Sequence, residues 1–134
     1  MSERGAPGAT PPHGACVLVV DDDAQVRQAI RWALEDEGLA VLAAADGREA
    51  LGLAVERAPD LVVLDLSLPE MDGYAVARRL RAGHAQPIPI LLITADGQAP
   101  LKARRVGAYA FLRKPFRIED LLDAVRTGLS GAGA

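Results

Sequence analysis

Short, almost wholly apolar stretches, broken only by Asp65 near the end of the third, constrain this chain most. Cys16–Val20, Leu61–Leu66 and Ile88–Ile93 are continuous runs, with shorter ones at Ala40–Ala44 and Ala110–Leu112. Runs this short and rich in β-branched residues favour strands over buried helix. Because they do not alternate, both faces of each strand must be covered, as in a parallel sheet. The segments between them carry helical spacing. Val26, Ala29, Ile30, Ala33 and Leu34 share one face of a segment ending at Glu37–Gly38. Ala50, Leu51, Ala54 and Val55 do the same before Pro59, followed by Tyr74, Ala77 and Leu80, then Leu101 to Val106 closed by Gly107, then Leu121, Leu122 and Val125. Five strands alternating with five helices predict an α/β fold: an open parallel sheet with helices on both faces.

Length and composition narrow the class further. A chain of 134 residues suits one domain with a substantial core. Its net charge of -3 gives no general attraction to nucleic acid or acidic membranes. Cys16 has no second cysteine to pair with, which fits a reducing, cytoplasmic setting. No stretch approaches the roughly 20 apolar residues of a membrane helix. Residues 1–14, rich in Gly and Pro, read as a disordered N-terminal tail, residues 15–127 as the domain, and residues 128–134 as a fraying C-terminal tail.

Polar residues gather where the strands end. The first run leads into Asp21-Asp22-Asp23, the third reaches Asp65, the fourth ends at Thr94 and the fifth leads into Lys114-Pro115. In open α/β sheets, ligands bind beyond the carboxyl ends of the strands, near the reversal of strand order. Each residue alone has an ordinary explanation, a helix cap for an aspartate or a surface turn for Thr94 and Lys114. The set is more restrictive. Clustered carboxylates repel unless a cation intervenes, and hard oxygen ligands suit Mg²⁺. A carboxylate can attack a phosphoryl group while a metal and a lysine neutralise the spreading charge. Zinc is disfavoured because His13 falls in the tail and His84 in a loop.

Four motifs, in order, carry a resemblance. Val19-Val20-Asp21-Asp22, Leu64-Asp65-Leu66-Ser67-Leu68-Pro69-Glu70-Met71-Asp72-Gly73, Ile93-Thr94-Ala95 and Lys114-Pro115-Phe116 are similar to the motifs of response-regulator receiver domains over roughly residues 16–127. The resemblance implies a flavodoxin-like sheet of order 2-1-3-4-5 and a phosphorylation-activated switch of two-component signalling, close to stand-alone chemotaxis receivers. It implies Asp65 as phosphoacceptor, and Mg²⁺ held by Asp22, Asp65 and the backbone carbonyl of Ser67, with Asp21 holding a metal-bound water. Thr94 and Lys114 would contact the phosphoryl group, with a cis bond between Lys114 and Pro115. The implied donor is a histidine kinase or histidine phosphotransfer protein. Output would pass through a downstream protein target, with no direct nucleic acid or membrane contact.

Several positions refine the pattern. Phe111 stands where many receivers carry a Tyr that swings inward, so it could change rotamer without a ring hydrogen bond. By the same resemblance, Ser67 and Asp96 would flank the phosphoryl position and tune its hydrolysis. Gly97 and Pro100 predict a late start to the fourth helix. Tyr109 and Ala110 replace an acidic pair found in dimerising transcriptional receivers. Lys102, Arg104, Arg105 and Arg126 then have no countercharge there, which predicts a mainly monomeric domain. Trp32 lies on the first helix away from Ile30 and is expected to be exposed, either as an isolated surface aromatic or as a docking contact. Cys16 is expected to be a buried strand residue. Two other classes stay open: a haloacid-dehalogenase-type phosphatase, which normally has a second aspartate where Ser67 stands, and a non-switching flavodoxin-like module, which would not need the full polar set.

Overall fold

A computed structural model of the protein describes residues 14–66, 73–82, 88–95 and 97–131. The elements are β1 (Cys16–Val20), α1 (Ala24–Asp36), β2 (Ala40–Ala44), α2 (Gly47–Arg57), β3 (Leu61–Asp65), α3 (Gly73–Ala82), β4 (Ile90–Thr94), α4 (Ala99–Val106), β5 (Ala110–Arg113) and α5 (Ile118–Gly131). All strand pairs are parallel, and the sheet order is β2-β1-β3-β4-β5. The expected flavodoxin-like α/β architecture is thus what the chain adopts.

Unalternating strands are covered on both sides. Val17, Leu18, Val19 and Val20 are all fully buried, as are Leu61 to Leu64 and Ile90 to Ile93. One core layer joins Val17, Val19, Val63 and Ile93 to Ile30 and Leu34 of α1 and Leu121 and Val125 of α5. The other joins Leu18, Val20, Val62 and Leu64 to Ala50 and Ala54 of α2, Val76 and Leu80 of α3 and Val106 of α4. Period-two alternation along each strand therefore sorts its side chains between two helical layers.

Local stops follow side-chain chemistry. Asp23 caps α1, accepting from the backbone N–H groups of Gln25 and Val26 at 2.9 and 3.2 Å. Gly38, at φ 89°, ends it in the left-handed region that glycine tolerates best. Pro100 lies in the first turn of α4, which begins at Ala99, where a missing N–H costs nothing.

Three expectations are corrected. Val55 is 83% exposed, because α2 buries Gly47, Ala50 and Ala54, and each step round a helix turns about 100°. Position 55 has rotated out of that stripe. Cys16 is half-exposed at the start of β1 rather than buried. Its backbone N–H donates to Asp60 Oδ2 at 2.8 Å, and burial, reinforced by the Asp60 charge, raises the thiol pKa. Finally, α5 continues beyond the expected end at Thr127 to Gly131. Gly128 is part of its packing: a Cβ there would collide with Tyr109 and Leu61. Of the expected tail at residues 1–14, residues 1–13 lie outside the described residues.

Two glycine substitutions should therefore have opposite signs. Gly128→Ala displaces the Tyr109 ring, whose hydroxyl donates to the Ala124 carbonyl at 2.6 Å, and overpacking of this kind costs about 1–3 kcal/mol. Gly52→Ala meets nothing within 4 Å and should gain roughly 0.5–1 kcal/mol of helix stability. Urea denaturation of both variants measures the contrast. A stabilised Gly128→Ala would show that the close packing around Gly128 is not limiting.

Candidate phosphoryl and metal site

Parallel register gathers the polar residues. Val20 pairs with Leu64, so Asp21 and Asp65 follow at adjacent strand ends, and Thr94 pairs with Arg113, one residue before Lys114. The chain leaves β1 for β2 on one side and returns to β3 on the other, which opens the sheet edge between β1 and β3. Asp21 and Asp65 are both 0% exposed, and Thr94 is 2% exposed; Asp22 faces solvent.

Carboxylate oxygens of Asp21, Asp22 and Asp65 all lie within 4.8 Å of one another. Asp23 does not join them, being used as the α1 cap. Lys114 Nζ reaches into the cluster, 2.9 Å from Asp21 Oδ2 and 3.1 Å from Asp65 Oδ2. Asp21 Oδ1 accepts from the Asp23 N–H at 2.8 Å. Its buried Oδ2, although close to Nζ, has no aligned hydrogen-bond donor. Burial raises the Asp21 pKa, and the neighbouring Asp65 charge adds to this, while the Asp23 N–H and Lys114 oppose it. For Lys114, burial would lower the pKa, but Asp21 and Asp65 together outweigh it and hold the ammonium charged.

One ammonium among three carboxylates leaves negative charge in excess. Together with the buried Asp21 Oδ2 that lacks an aligned donor, this donor set fits a small hard divalent cation. An all-oxygen cluster with one solvent-facing member is of the kind typical of receiver Mg²⁺ sites.

The backbone holds the site in place. Arg27 Nη1 donates to the Asp21 carbonyl at 2.7 Å, fixing the loop from α1. Sequence reasoning missed this residue, although it lies one turn past the Asp23 cap on the face toward the loop. At the other side, the Lys114 N–H donates to the Thr94 carbonyl at 2.8 Å, so the lysine is tied directly to the end of β4. The Lys114–Pro115 bond is cis. Ser67 and Asp96 lie outside the described residues, as do His13 and His84.

Outside the cluster, Phe111 is half-buried on β5, with the Arg113 guanidinium 5.8 Å from its ring centre. It borders a surface hollow of about 430 Å³ shared with Pro100, Ala103, Arg104 and Tyr109. Trp32 is 63% exposed, as expected for a position opposite Ile30 and Leu34 on α1. Arg126 does not present a free charge: it pairs with Glu37 at 2.6 Å and Asp123 at 2.9 Å, bracing α5 against the end of α1. Among the described residues, no helix is long and apolar enough to cross a membrane.

Residues 17–126 match the response regulator receiver domain family. The response regulator MprA of Mycolicibacterium vanbaalenii is 43% identical over 112 residues, covering 82% of this chain and 48% of that protein. The C4-dicarboxylate transport transcriptional regulatory protein DctD of Pseudomonas aeruginosa is 42% identical over 115 residues, 84% of this chain and 25% of that protein. The chain thus spans about half or less of these relatives. Among solved structures, the chemotaxis protein CheY4 of Vibrio cholerae superposes with a TM-score of 0.79 at 35% identity, covering 87% of this chain and 99% of that one. The chain belongs to the response-regulator receiver family, whose members are phosphoacceptor switches rather than turnover enzymes.

Proposed function

We propose that this chain is a phosphorylation-activated signalling switch that accepts a phosphoryl group on Asp65. The observation that carries this reading is the placement of Lys114 Nζ against the buried carboxylates of Asp21 and Asp65. In the transfer, an Asp65 oxygen bonds to phosphorus as the phosphorus–nitrogen bond of a phosphohistidine breaks, and the released imidazole takes a proton from solvent. Asp22, Asp65 and the Ser67 backbone carbonyl would hold Mg²⁺, with Asp21 beside them. Bound there, the ion supplies charge neutralisation for the phosphoryl oxygens.

The chain's own groups do the rest. Asp65 is consumed as an acceptor, so its contact with Lys114 must be replaced, and the ammonium can pass to a phosphoryl oxygen without leaving the site. The Thr94 hydroxyl donates to another such oxygen. Because the Lys114 N–H is anchored on the Thr94 carbonyl, a shift of either residue is felt at the end of β5. Phe111 then reports the shift by changing rotamer.

The donor is a histidine kinase or a histidine phosphotransfer protein, with Trp32 as a docking contact, and the output is a downstream protein target. The setting is cytoplasmic, with no direct nucleic acid or membrane contact, and the domain is mainly monomeric. Support for the last point comes from Arg126, whose pairing with Glu37 and Asp123 removes one cation from intermolecular use, while Tyr109 and Ala110 offer no countercharge.

Acetyl phosphate with Mg²⁺ should add one phosphoryl group to the protein by intact mass, on Asp65. The adduct should be absent from Asp65→Ala and suppressed by a chelator. Undiminished labelling of Asp65→Ala would overturn the assignment.

Removal of the exposed indole separates docking from chemistry. An aromatic anchor at an interface contributes about 2 kcal/mol, or roughly thirtyfold in affinity. Trp32→Ala should slow transfer from the cognate phosphohistidine by this order and leave acetyl phosphate labelling unchanged. Equal slowing with both donors would place the fault in the fold or the site instead.

A further inference from the structure

The α3 and α4 helices carry charge of one sign only. Arg78, Arg79 and Arg81 lie on α3, Lys102, Arg104 and Arg105 on α4, and neither helix contains an acidic residue. The whole chain is nevertheless at net -3, so acid is concentrated elsewhere. Glu35, Asp36 and Glu37 close the α1 region, and Glu119, Asp120 and Asp123 lie on α5, against the opposite face of the sheet.

Between α3 and α4 runs an open groove of about 420 Å³, lined by Tyr74, Ala77, Arg78, Arg81, Arg105 and Val106 among others. None of these residues belongs to the acidic cluster. Two of the three arginines have internal work. Arg81 donates to the Val106 carbonyl at 3.3 Å, and a Cβ on Gly107 would collide with its guanidinium. Arg105 lies over the Tyr74 ring, 4.6 Å from its centre, a cation–π contact that holds the guanidinium in place. Cations in the last turn of a helix also complement its dipole, which accounts for Arg79, Arg81, Arg104 and Arg105. It does not account for Arg78. That residue is exposed, lies before the last turn of α3, and makes no ion pair among the described residues.

We propose that the α3–α4 groove, with Arg78, Arg81 and Arg105 set around Tyr74, is a docking surface for an acidic segment of a partner protein. Guanidinium forks match carboxylates in bidentate geometry, and two of the three are already positioned by internal contacts, so little side-chain freedom is lost on binding. An aromatic ring among arginines is also the composition of a binding hot spot. A short acidic segment can follow the groove without meeting the acidic α1 and α5 surface. A long nucleic-acid duplex is disfavoured, because its affinity rests on many phosphate contacts and the rest of this chain repels it. The inference goes beyond the phosphoryl site and is independent of it.

The test uses the whole chain and a fluorescein-labelled oligoglutamate peptide, followed by anisotropy at low ionic strength. Binding should weaken as salt is raised. Arg78→Glu should weaken it by about tenfold or more. Arg117→Glu, which reverses an exposed charge outside the groove, should change it little. Thermal melting confirms that both variants are folded, and Arg105→Lys, which keeps the charge but loses the fork, should weaken binding to a smaller extent. Unchanged affinity in Arg78→Glu, or an equal loss in Arg117→Glu, would overturn the proposal. Tighter binding of a DNA duplex with the same dependence on Arg78 would overturn the choice of partner.

Discussion

Everything at the carboxyl edge of this sheet depends on one ammonium held between two buried carboxylates. Removing charges from water is expensive, and a buried carboxylate without a partner is strongly destabilising. Lys114 offsets that cost for Asp21 and Asp65, yet leaves Asp21 Oδ2 without an aligned donor and Asp22 turned to solvent. The arrangement is compensated enough to fold, and its excess of negative charge is a capacity of the sign that suits a cation. A fully satisfied network would have no such capacity.

The sheet makes this possible by separating support from chemistry. Apolar side chains of β1, β3 and β4 are divided between the α1–α5 layer and the α2–α3–α4 layer, so the strands are held rigidly along their length. Polar residues begin where the strands stop. The contact that can carry a local change outward is short: Lys114 reaches the acids with its side chain and β4 with its backbone N–H. Arg27, donating to the Asp21 carbonyl, ties the opposite wall to α1. The α3–α4 groove lies in the same helical layer as α4, but its residues are separate from those of the site.

Much of this is legible in the sequence, for identifiable reasons. Strands covered on both faces leave runs without polar interruption, and β2 coincides with Ala40–Ala44 residue for residue. Strand ends with polar residues mark where Asp21, Asp65, Thr94 and Lys114 gather. Side-chain partnerships across helices are less visible. Arg126 reads as a surface cation until α5 is placed beside Glu37, and Tyr109 reads as a missing acid until its hydroxyl is seen on the Ala124 carbonyl. Gly128 looks like the start of a tail because glycine commonly ends helices; its actual basis is the space taken by Tyr109 and Leu61. Val55 shows the limit of periodicity in a helix with small buried residues, where Ala50 and Ala54 define the stripe only loosely. Arg126, Tyr109 and Gly128 concern packing between distant segments, which spacing within one segment does not encode, whereas Val55 is set by rotation within α2 itself.

The proposed role of Lys114 is to convert occupancy of the site into movement. Amide hydrogen exchange of the wild type and Lys114→Ala, each with Mg²⁺ and with or without beryllofluoride as a phosphoryl mimic, tests it most directly. Altered protection is expected in α4 and β5 of the wild type, with loss of that response in Lys114→Ala even where Mg²⁺ still binds. A full wild-type response in Lys114→Ala would contradict it.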